Sequence, residues 1–229
     1  MELSWRRGAP LSGAASIALY FVGFALIGEV RGTASPSPDR VVDLLEDGPV
    51  QVLIGAYISL VSVPLLLWFV ATLRSRILAA EAGTGRFATL AFGGGVLAAA
   101  GMSVGFASIG QAAFRAEDEA IDPQIATILY DLYRAMLSGP MPVGFAALIG
   151  ASAIVSFRGS LFPSWLKWAS VVIAVAAVSP LMGFAAFFAL VWVFVVSIWL
   201  TLAERTASES ELVGEQRNRD DSPDAVSGP

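Results

Sequence analysis

Apolar residues in this chain come in long blocks, separated by short polar stretches rich in proline, glycine and charge. A helix of about 20 apolar residues, rising 1.5 Å per residue, crosses a hydrocarbon core about 30 Å thick. The blocks therefore predict an all-α fold, a polytopic membrane bundle of six transmembrane helices. These predicted spans are Leu11–Glu29, Val50–Leu73, Phe87–Gly110, Ser138–Phe157, Ser164–Leu181 and Gly183–Leu202.

The last two blocks are separated only by the stretch Ser179–Gly183. One continuous helix from Trp165 to Leu202 would be about 57 Å long, nearly twice the hydrocarbon thickness. Two spans joined by a Pro/Gly turn fit a membrane better. The first block is longer than the apolar core of a signal peptide, so we interpret it as a retained span.

Two polar segments between the blocks contain apolar residues at helical spacing. The first follows the Ser/Pro turn before Asp39, and the second starts with Asp122 as a candidate N-cap and Pro123 at the first helical position. We expect two short helices on the outer face. From residue 204 to 229 the composition predicts a disordered cytoplasmic tail, and residues 1–10 are assigned to a cytoplasmic N-terminus.

Lysine and arginine close to the ends of spans mark the cytoplasmic side. One side of the predicted topology carries Arg6, Arg7, Arg74, Arg76, Arg86, Arg158, Lys167 and Arg205. The other side carries fewer basic residues, and acidic residues outnumber them there. Both termini are therefore predicted to face the cytoplasm.

Composition agrees with a membrane protein, since 56% of residues are apolar and only 14% are charged, against about 25% charged in soluble domains. The lipid bilayer is thus the first predicted partner. The net charge of -5 comes without a basic stripe, so no nucleic-acid partner is expected. The chain has no cysteine and no histidine, and we predict no cofactor and no metal site.

Enzyme signatures are also missing from the sequence. No serine–lysine pair and no paired aspartates lie at membrane depth, and the glycines of Phe92–Val96 are not followed by the lysine of a phosphate-binding loop. The sequence therefore favours a protein that is not an enzyme, with no catalytic residues.

Small residues recur at four-residue spacing in the third span, where they allow close helix packing. The predicted packing residues are Gly95, Ala99, Gly101, Ser103, Gly105 and Ala107. Packing inside one bundle is the favoured interpretation. A homo-oligomer or a membrane partner protein is the alternative.

Two nearly identical phrases, VGFALIG at Val22–Gly28 and VGFAALIG at Val143–Gly150, lie in the first and fourth spans. Shorter echoes occur at Gly105–Gly110 and Gly183–Phe188 in the third and sixth spans. The favoured interpretation is a shared composition of closely packed helices. The alternative is an inverted repeat of three plus three spans, as in many secondary transporters.

The clearest polar candidates lie near the outer face. Glu29 ends the first span, and Asp131 and Arg134 are one turn apart beside Tyr130 on the second outer helix. Glu29 is interpreted as an interfacial carboxylate, with proton coupling as the alternative. For Asp131 and Arg134 an ordinary surface ion pair and a ligand site facing an outer vestibule both remain open.

The stretch LFPSWLKWASVV, Leu161–Val172, contains most of a predicted interface anchor at the cytoplasmic surface. Proline starts the helix, tryptophans sit at headgroup depth and lysine extends toward water. The anchor residues are Arg158, Pro163, Trp165, Lys167 and Trp168.

This loop resembles the Pro-x-Trp-Leu-x-Trp loop of a bacterial six-span family, domain of unknown function four thousand three hundred and eighty-six. The chain departs from that family at Ser164 and Lys167. The resemblance, which extends over most of residues 10 to 203, implies a bacterial plasma-membrane protein but no known activity. Together these observations favour a non-enzymatic binding, sensing or assembly component, with a small secondary transporter as the alternative.

Overall fold

The computed structural model describes residues 9–28, 36–81, 83–118, 121–159, 161–179 and 182–220. These residues form eight helices and no strand. The helices are α1 Leu11–Ile27, α2 Pro38–Glu46, α3 Pro49–Glu81, α4 Arg86–Asp118, α5 Pro123–Ser138, α6 Pro140–Arg158, α7 Ser164–Ala177 and α8 Met182–Asp220. The prediction of an all-α bundle is confirmed, and the two short helices expected outside the spans are present as α2 and α5.

Four helical stretches are long and apolar enough to cross a membrane. They are Pro49–Glu81 in α3, Arg86–Glu117 in α4, Pro123–Arg158, which contains both α5 and α6, and Ala186–Glu204 in α8. The shorter apolar helices are α1, Leu11–Ile27, and α7, Ser164–Ala177. These stretches support the prediction of a transmembrane protein. α7 stops at Ala177, four residues before the predicted end of its span, because the backbone leaves the helix at Val178 ahead of Pro180.

The prediction of a disordered tail from residue 204 differs from the structure, because α8 continues as a helix to Asp220. Adding residues to an existing helix avoids the cost of nucleating a new one. Several residues beyond Glu204 are good helix formers, among them Ala207, Glu209 and Leu212. Residues 221–229 lie outside the described part of the chain.

Helix α4 lies at the centre of the bundle, in contact with α3, α5 and α6. α1 packs against α3 and α8, and α7 packs against α6 and α8. The short helix α2 lies against α5 and also touches α3 and α4. The contact surfaces contain the largest fully buried side chains, which include Phe69, Phe106, Phe145 and Trp192.

Two helix pairs approach each other backbone to backbone at glycines. At the α1–α3 crossing a Cβ on Gly23 would lie 2.5 Å from the carbonyl oxygen of Gly55, and a Cβ on Gly55 would lie 2.7 Å from that of Gly23. At the α4–α6 crossing the matching distances are 2.6 Å for Gly94 and 2.5 Å for Gly144. Any side chain at these positions would push the helices apart.

The predicted packing residues of α4 form two ridges that face different neighbours. The first ridge is Gly95, Ala99, Ser103 and Ala107, and the second is Gly101 and Gly105. A Cβ on Gly95 would meet the side chain of Val70 in α3. A Cβ on Gly101 or Gly105 would meet backbone atoms at 3.0 to 3.3 Å, from α5 and the start of α6. The two ridges therefore pack within the chain at these three glycines.

The rest of the first ridge turns gradually outward. Ala99 is buried, Ser103 is half-buried and donates its hydroxyl to the carbonyl of Ala99 at 2.9 Å, and Ala107 is exposed. Gly94, at the closest crossing of this helix, was not among the predicted packing residues. Sequence spacing placed a ridge on α4 but gave no means of choosing between two adjacent glycines.

The repeated phrases each place their first glycine at one of the two crossings. Gly23 meets the second apolar helix of the chain, α3, whereas Gly144 meets the third, α4. An inverted repeat would relate the first and second spans to the fourth and fifth, so Gly144 would be expected against α7. This pattern supports shared packing as the reason for the similar phrases.

One end of the bundle, called the basic end here, carries Arg74, Arg76, Arg86, Arg158 and Lys167. The buried Ser197 of α8 donates its hydroxyl to the carbonyl of Pro10 and accepts from the backbone N–H of Ala14 at 2.9 Å. Ser197 thus caps the first turn of α1, which lacks a capping side chain of its own.

The α3–α4 connection at the basic end is closed in a similar way. The Glu81 carboxylate accepts from the backbone N–H of Phe87 at 3.2 Å and of Ala88 at 3.1 Å. Gly85, with φ of 72°, supplies the left-handed turn that brings α4 back against α3. An acidic side chain at a helix N-terminus is favoured both by these bonds and by the helix dipole.

Candidate ligand-binding cavity

A cavity of about 240 Å³ opens between α1, α5, α6 and α8, at the end of the bundle opposite the basic end. This end, called the cavity end here, is formed by the last turns of α1, the first turns of α6 and α8, and the whole of α5. Its lining residues are Tyr20, Phe21, Phe24, Tyr130, Tyr133, Arg134, Leu137, Ser138, Met141, Ala186, Phe187 and Leu190.

The α1 wall of the cavity is aromatic. Tyr20 and Phe24 are four residues apart, so their rings stack on one face of the helix, with centroids 5.9 Å apart and planes 8° apart. Phe21 continues the wall and meets Phe187 of α8 edge to face at 5.9 Å. Two helices thus close one side of the cavity through rings alone.

The α5 wall depends on how that helix begins. The Asp122 side chain accepts from the N–H of Gln124 at 2.8 Å and of Ile125 at 3.1 Å, and Pro123 follows it, as predicted. Starting there, α5 turns its face with Tyr130 and Tyr133 into the bundle, where only 1% and 3% of these residues remain exposed.

Arg134 is the cationic residue of the lining. It is half-buried, and its guanidinium carbon lies 6.0 Å from the centre of the Tyr130 ring. Asp131 is exposed and does not line the cavity. No ion pair joins Asp131 to Arg134 within the described residues, so the structure differs from the surface-pair interpretation. An exposed ion pair stabilises a folded protein very little, whereas the Tyr130 ring gives Arg134 a partner that is shielded from water.

The predicted polar site is therefore brought together only in part. Tyr130 and Arg134 both line the cavity, Asp131 does not, and Glu29 lies outside the described residues. The α1 rings and Phe187 were missed. The spacing of Tyr20 and Phe24 was a usable signal for one aromatic face, but nothing local pairs that face with α5 or α8.

The predicted interface-anchor residues lie together at the basic end. Lys167 donates to the carbonyl of Gly159 at 3.3 Å, and the Arg158 guanidinium lies 5.0 Å from the centre of the Phe87 ring. Trp165 and Trp168 are both largely exposed on α7, which begins just after Pro163. This placement leaves both tryptophans on the surface of the helix bundle.

A second groove, of about 330 Å³, lies between α3 and α4. Its walls include the exposed rings of Tyr57 and Phe114, its floor includes Ala56 and Gly110, and Gln111 is its main polar side chain. Because it contains no charged residue, this groove offers less for recognising a polar ligand than the cavity beside Arg134.

The described residues contain no group of three or more histidine, cysteine, aspartate or glutamate side chains placed to hold a metal ion. In the cavity, the hydroxyl of Ser138 donates to the carbonyl of Arg134 at 2.8 Å, so it is engaged with its own helix. The arrangement of rings around one guanidinium is suited to binding.

Comparison with known proteins gives no further constraint: no family model, no curated protein and no solved structure matches the chain. The resemblance to the bacterial six-span family thus stays a prediction.

Proposed function

We propose that this chain is a non-enzymatic binding protein of the bacterial plasma membrane, which holds a small amphiphilic ligand in the cavity at its cavity end. A sensing or assembly role would use the same bound state. The observation that carries the proposal is the cavity itself, which has a continuous aromatic and aliphatic wall and a polar group at one side.

The proposed topology has six spans and cytoplasmic termini. The four long apolar stretches and the two shorter apolar helices, α1 and α7, supply the six crossings. Basic residues gather at one end of the bundle, which the positive-inside rule assigns to the cytoplasm. The cavity end would then face outward.

Binding is preferred to catalysis because the lining residues include no histidine, cysteine or lysine, the side chains that most often act as base or nucleophile. Among its lining residues there is no carboxylate, and the serine hydroxyl already donates to the backbone. Binding is also preferred to transport, because the Gly94–Gly144 crossing holds α4 of the first three spans directly against α6 of the last three, and an alternating-access motion of the two halves would have to separate them.

The experiment is ligand-dependent stabilisation of the full chain purified in a nonionic detergent. A ligand that binds only the folded state raises the melting temperature, and phenylacetamide is a neutral aromatic probe of suitable size. Ala186→Phe fills the cavity and should abolish the shift. Ala107→Phe is the matched control, because it adds the same ring to the groove between α3 and α4.

The proposal fails if phenylacetamide and related aryl compounds leave the melting temperature unchanged. It also fails if Ala107→Phe and Ala186→Phe weaken the shift equally, because that result would place binding elsewhere.

A further inference from the structure

We propose that the ligand of this cavity carries an anionic group, a carboxylate or a phosphate, which binds the guanidinium of Arg134 while its apolar body lies among the rings. This inference rests on the proposed binding function and specifies the class of ligand. The source of the anion can be a free aryl or acyl acid or the headgroup of an anionic lipid, because both present the same chemistry to Arg134.

Arg134 differs from the other cations of the described chain in what surrounds it. Arg76 forms an ion pair with Glu204, and Lys167 donates to a backbone carbonyl. Arg74 and Arg158 also lie over aromatic rings, but both are exposed, so water can reach their N–H groups. Arg134 is half-buried and lines a cavity.

The donors of Arg134 have no acceptor within the described residues. No carboxylate oxygen of a described residue lies within 4.0 Å of the guanidinium, and its five N–H groups make no hydrogen bond with these residues. A ligand that displaces water from a charged donor without offering it an acceptor pays a cost, so a ligand that brings its own acceptor is favoured. Carboxylates and phosphates match the fork of the guanidinium with two parallel bonds.

The rings of the cavity do not form a site for a cation. Faces of tyrosine and phenylalanine attract cations, but here the Tyr130 face is already occupied by Arg134 at 6.0 Å. A second positive charge would be repelled by the guanidinium, and the lining has no carboxylate to offset this repulsion. The anion is therefore the charge that this cavity selects.

The volume limits the apolar part of the ligand. At about 30 Å³ for each water-sized group, 240 Å³ holds on the order of eight non-hydrogen atoms. That is one aromatic ring with a short linker, or the first carbons of an acyl chain. Larger ligands would extend past the exposed ring of Phe187.

The test compares phenylacetate with phenylacetamide, which has nearly the same shape and no charge. With the full chain in nonionic detergent, we expect phenylacetate to bind wild type with a Kd lower by about tenfold or more. Arg134→Gln should remove this preference while leaving the binding of phenylacetamide. Arg115→Gln is the matched control, since Arg115 is an exposed arginine at the end of α4, and it should retain the preference.

Equal binding of the two probes to wild type would overturn the anion inference and leave the proposed function standing. Absence of binding by either probe would overturn both. A preference that survives in Arg134→Gln would show that Arg134 is not the recognising group. Should Arg134→Gln fail to elute as a folded monodisperse species, Arg134→Lys replaces it, with a reduced preference expected and an unchanged one contradicting bidentate binding.

Nanodiscs separate the two sources of the anion. If an anionic lipid is the ligand, adding phosphatidylglycerol to phosphatidylcholine discs should stabilise wild type and Arg115→Gln more than Arg134→Gln, and phenylacetate should add nothing further. If a free acid is the ligand, phenylacetate should stabilise wild type equally in both kinds of disc. A lipid effect equal in all three proteins, together with no phenylacetate effect in either disc, would overturn the proposal.

Discussion

At the basic end, two helices begin against side chains of a neighbouring helix that form hydrogen bonds with their first turns, whereas at the cavity end aromatic rings from different helices meet around a cavity. Ser197 caps α1 from α8, and Glu81 caps α4 from α3. At the other end Tyr20, Phe21 and Phe187 meet through ring edges and faces. Directional bonds in a low-dielectric interior fix the positions of helices, while rings can surround empty space. The basic end therefore provides stability, and the cavity end has room for a ligand.

The largest expected effect is a difference in chemical labelling between the two ends of the bundle, and it should be close to all-or-none. Because the chain has no cysteine, single cysteines can be placed at the exposed positions Gln124 and Thr84 without a background. A membrane-impermeant maleimide should label Gln124→Cys in intact cells, and Thr84→Cys only after permeabilisation. The reverse pattern would invert the proposed topology.

The next largest effect is expected at Ser197. Ser197→Ala removes the two hydrogen bonds that join α8 to the first turn of α1, each worth about 1 kcal/mol, and should lower the free energy of unfolding by about 2 kcal/mol. The measurement is unfolding by dodecyl sulfate in mixed micelles. Ser108→Ala is the control, because Ser108 bonds only to the Val104 carbonyl of its own helix. Equal losses in both variants would refute the cross-helix cap.

A smaller effect is expected at Glu81. Glu81→Ala removes the acceptor for two N–H groups at the start of α4 and should cost about 1 kcal/mol. Glu46→Ala removes an exposed carboxylate at the cavity end and should cost nothing measurable in the same unfolding assay. A cost at Glu46 equal to that at Glu81 would remove the distinction between the two ends.

The smallest effect is expected for the ion pair between Arg76 and Glu204. With 45% of the Arg76 side chain exposed, a double-mutant cycle should give a coupling energy below about 1 kcal/mol. The coupling should fall further in high salt, since exposed charges are screened. A larger, salt-independent coupling would mean that this pair is a main support of the basic end.

Local patterns predicted the helices well because apolar blocks, prolines and capping residues act over a few positions. Asp122 and Pro123 marked the start of α5 correctly. The cross-chain contacts left no such signal, because Ser197 and Ala14 are 183 residues apart in sequence. The sequence did not predict the cavity for the same reason, because its walls come from four helices, of which α1 and α8 are far from α5 and α6 along the chain. The sequence identified Arg134 as a candidate because Asp131 lies one helical turn away. In the structure Arg134 contacts the ring of the buried Tyr130 instead.

The crossing at Gly23 also bears on how a ligand enters. Gly23 directly precedes Phe24 of the cavity wall, and its close backbone contact with Gly55 holds α1 against α3 at this point. Admission by parting the helices would break that contact. The exposed ring of Phe187 can instead swing aside, a movement that side chains make in nanoseconds or less. Ligand entry should accordingly be rapid and little affected by substitutions that stiffen the backbone.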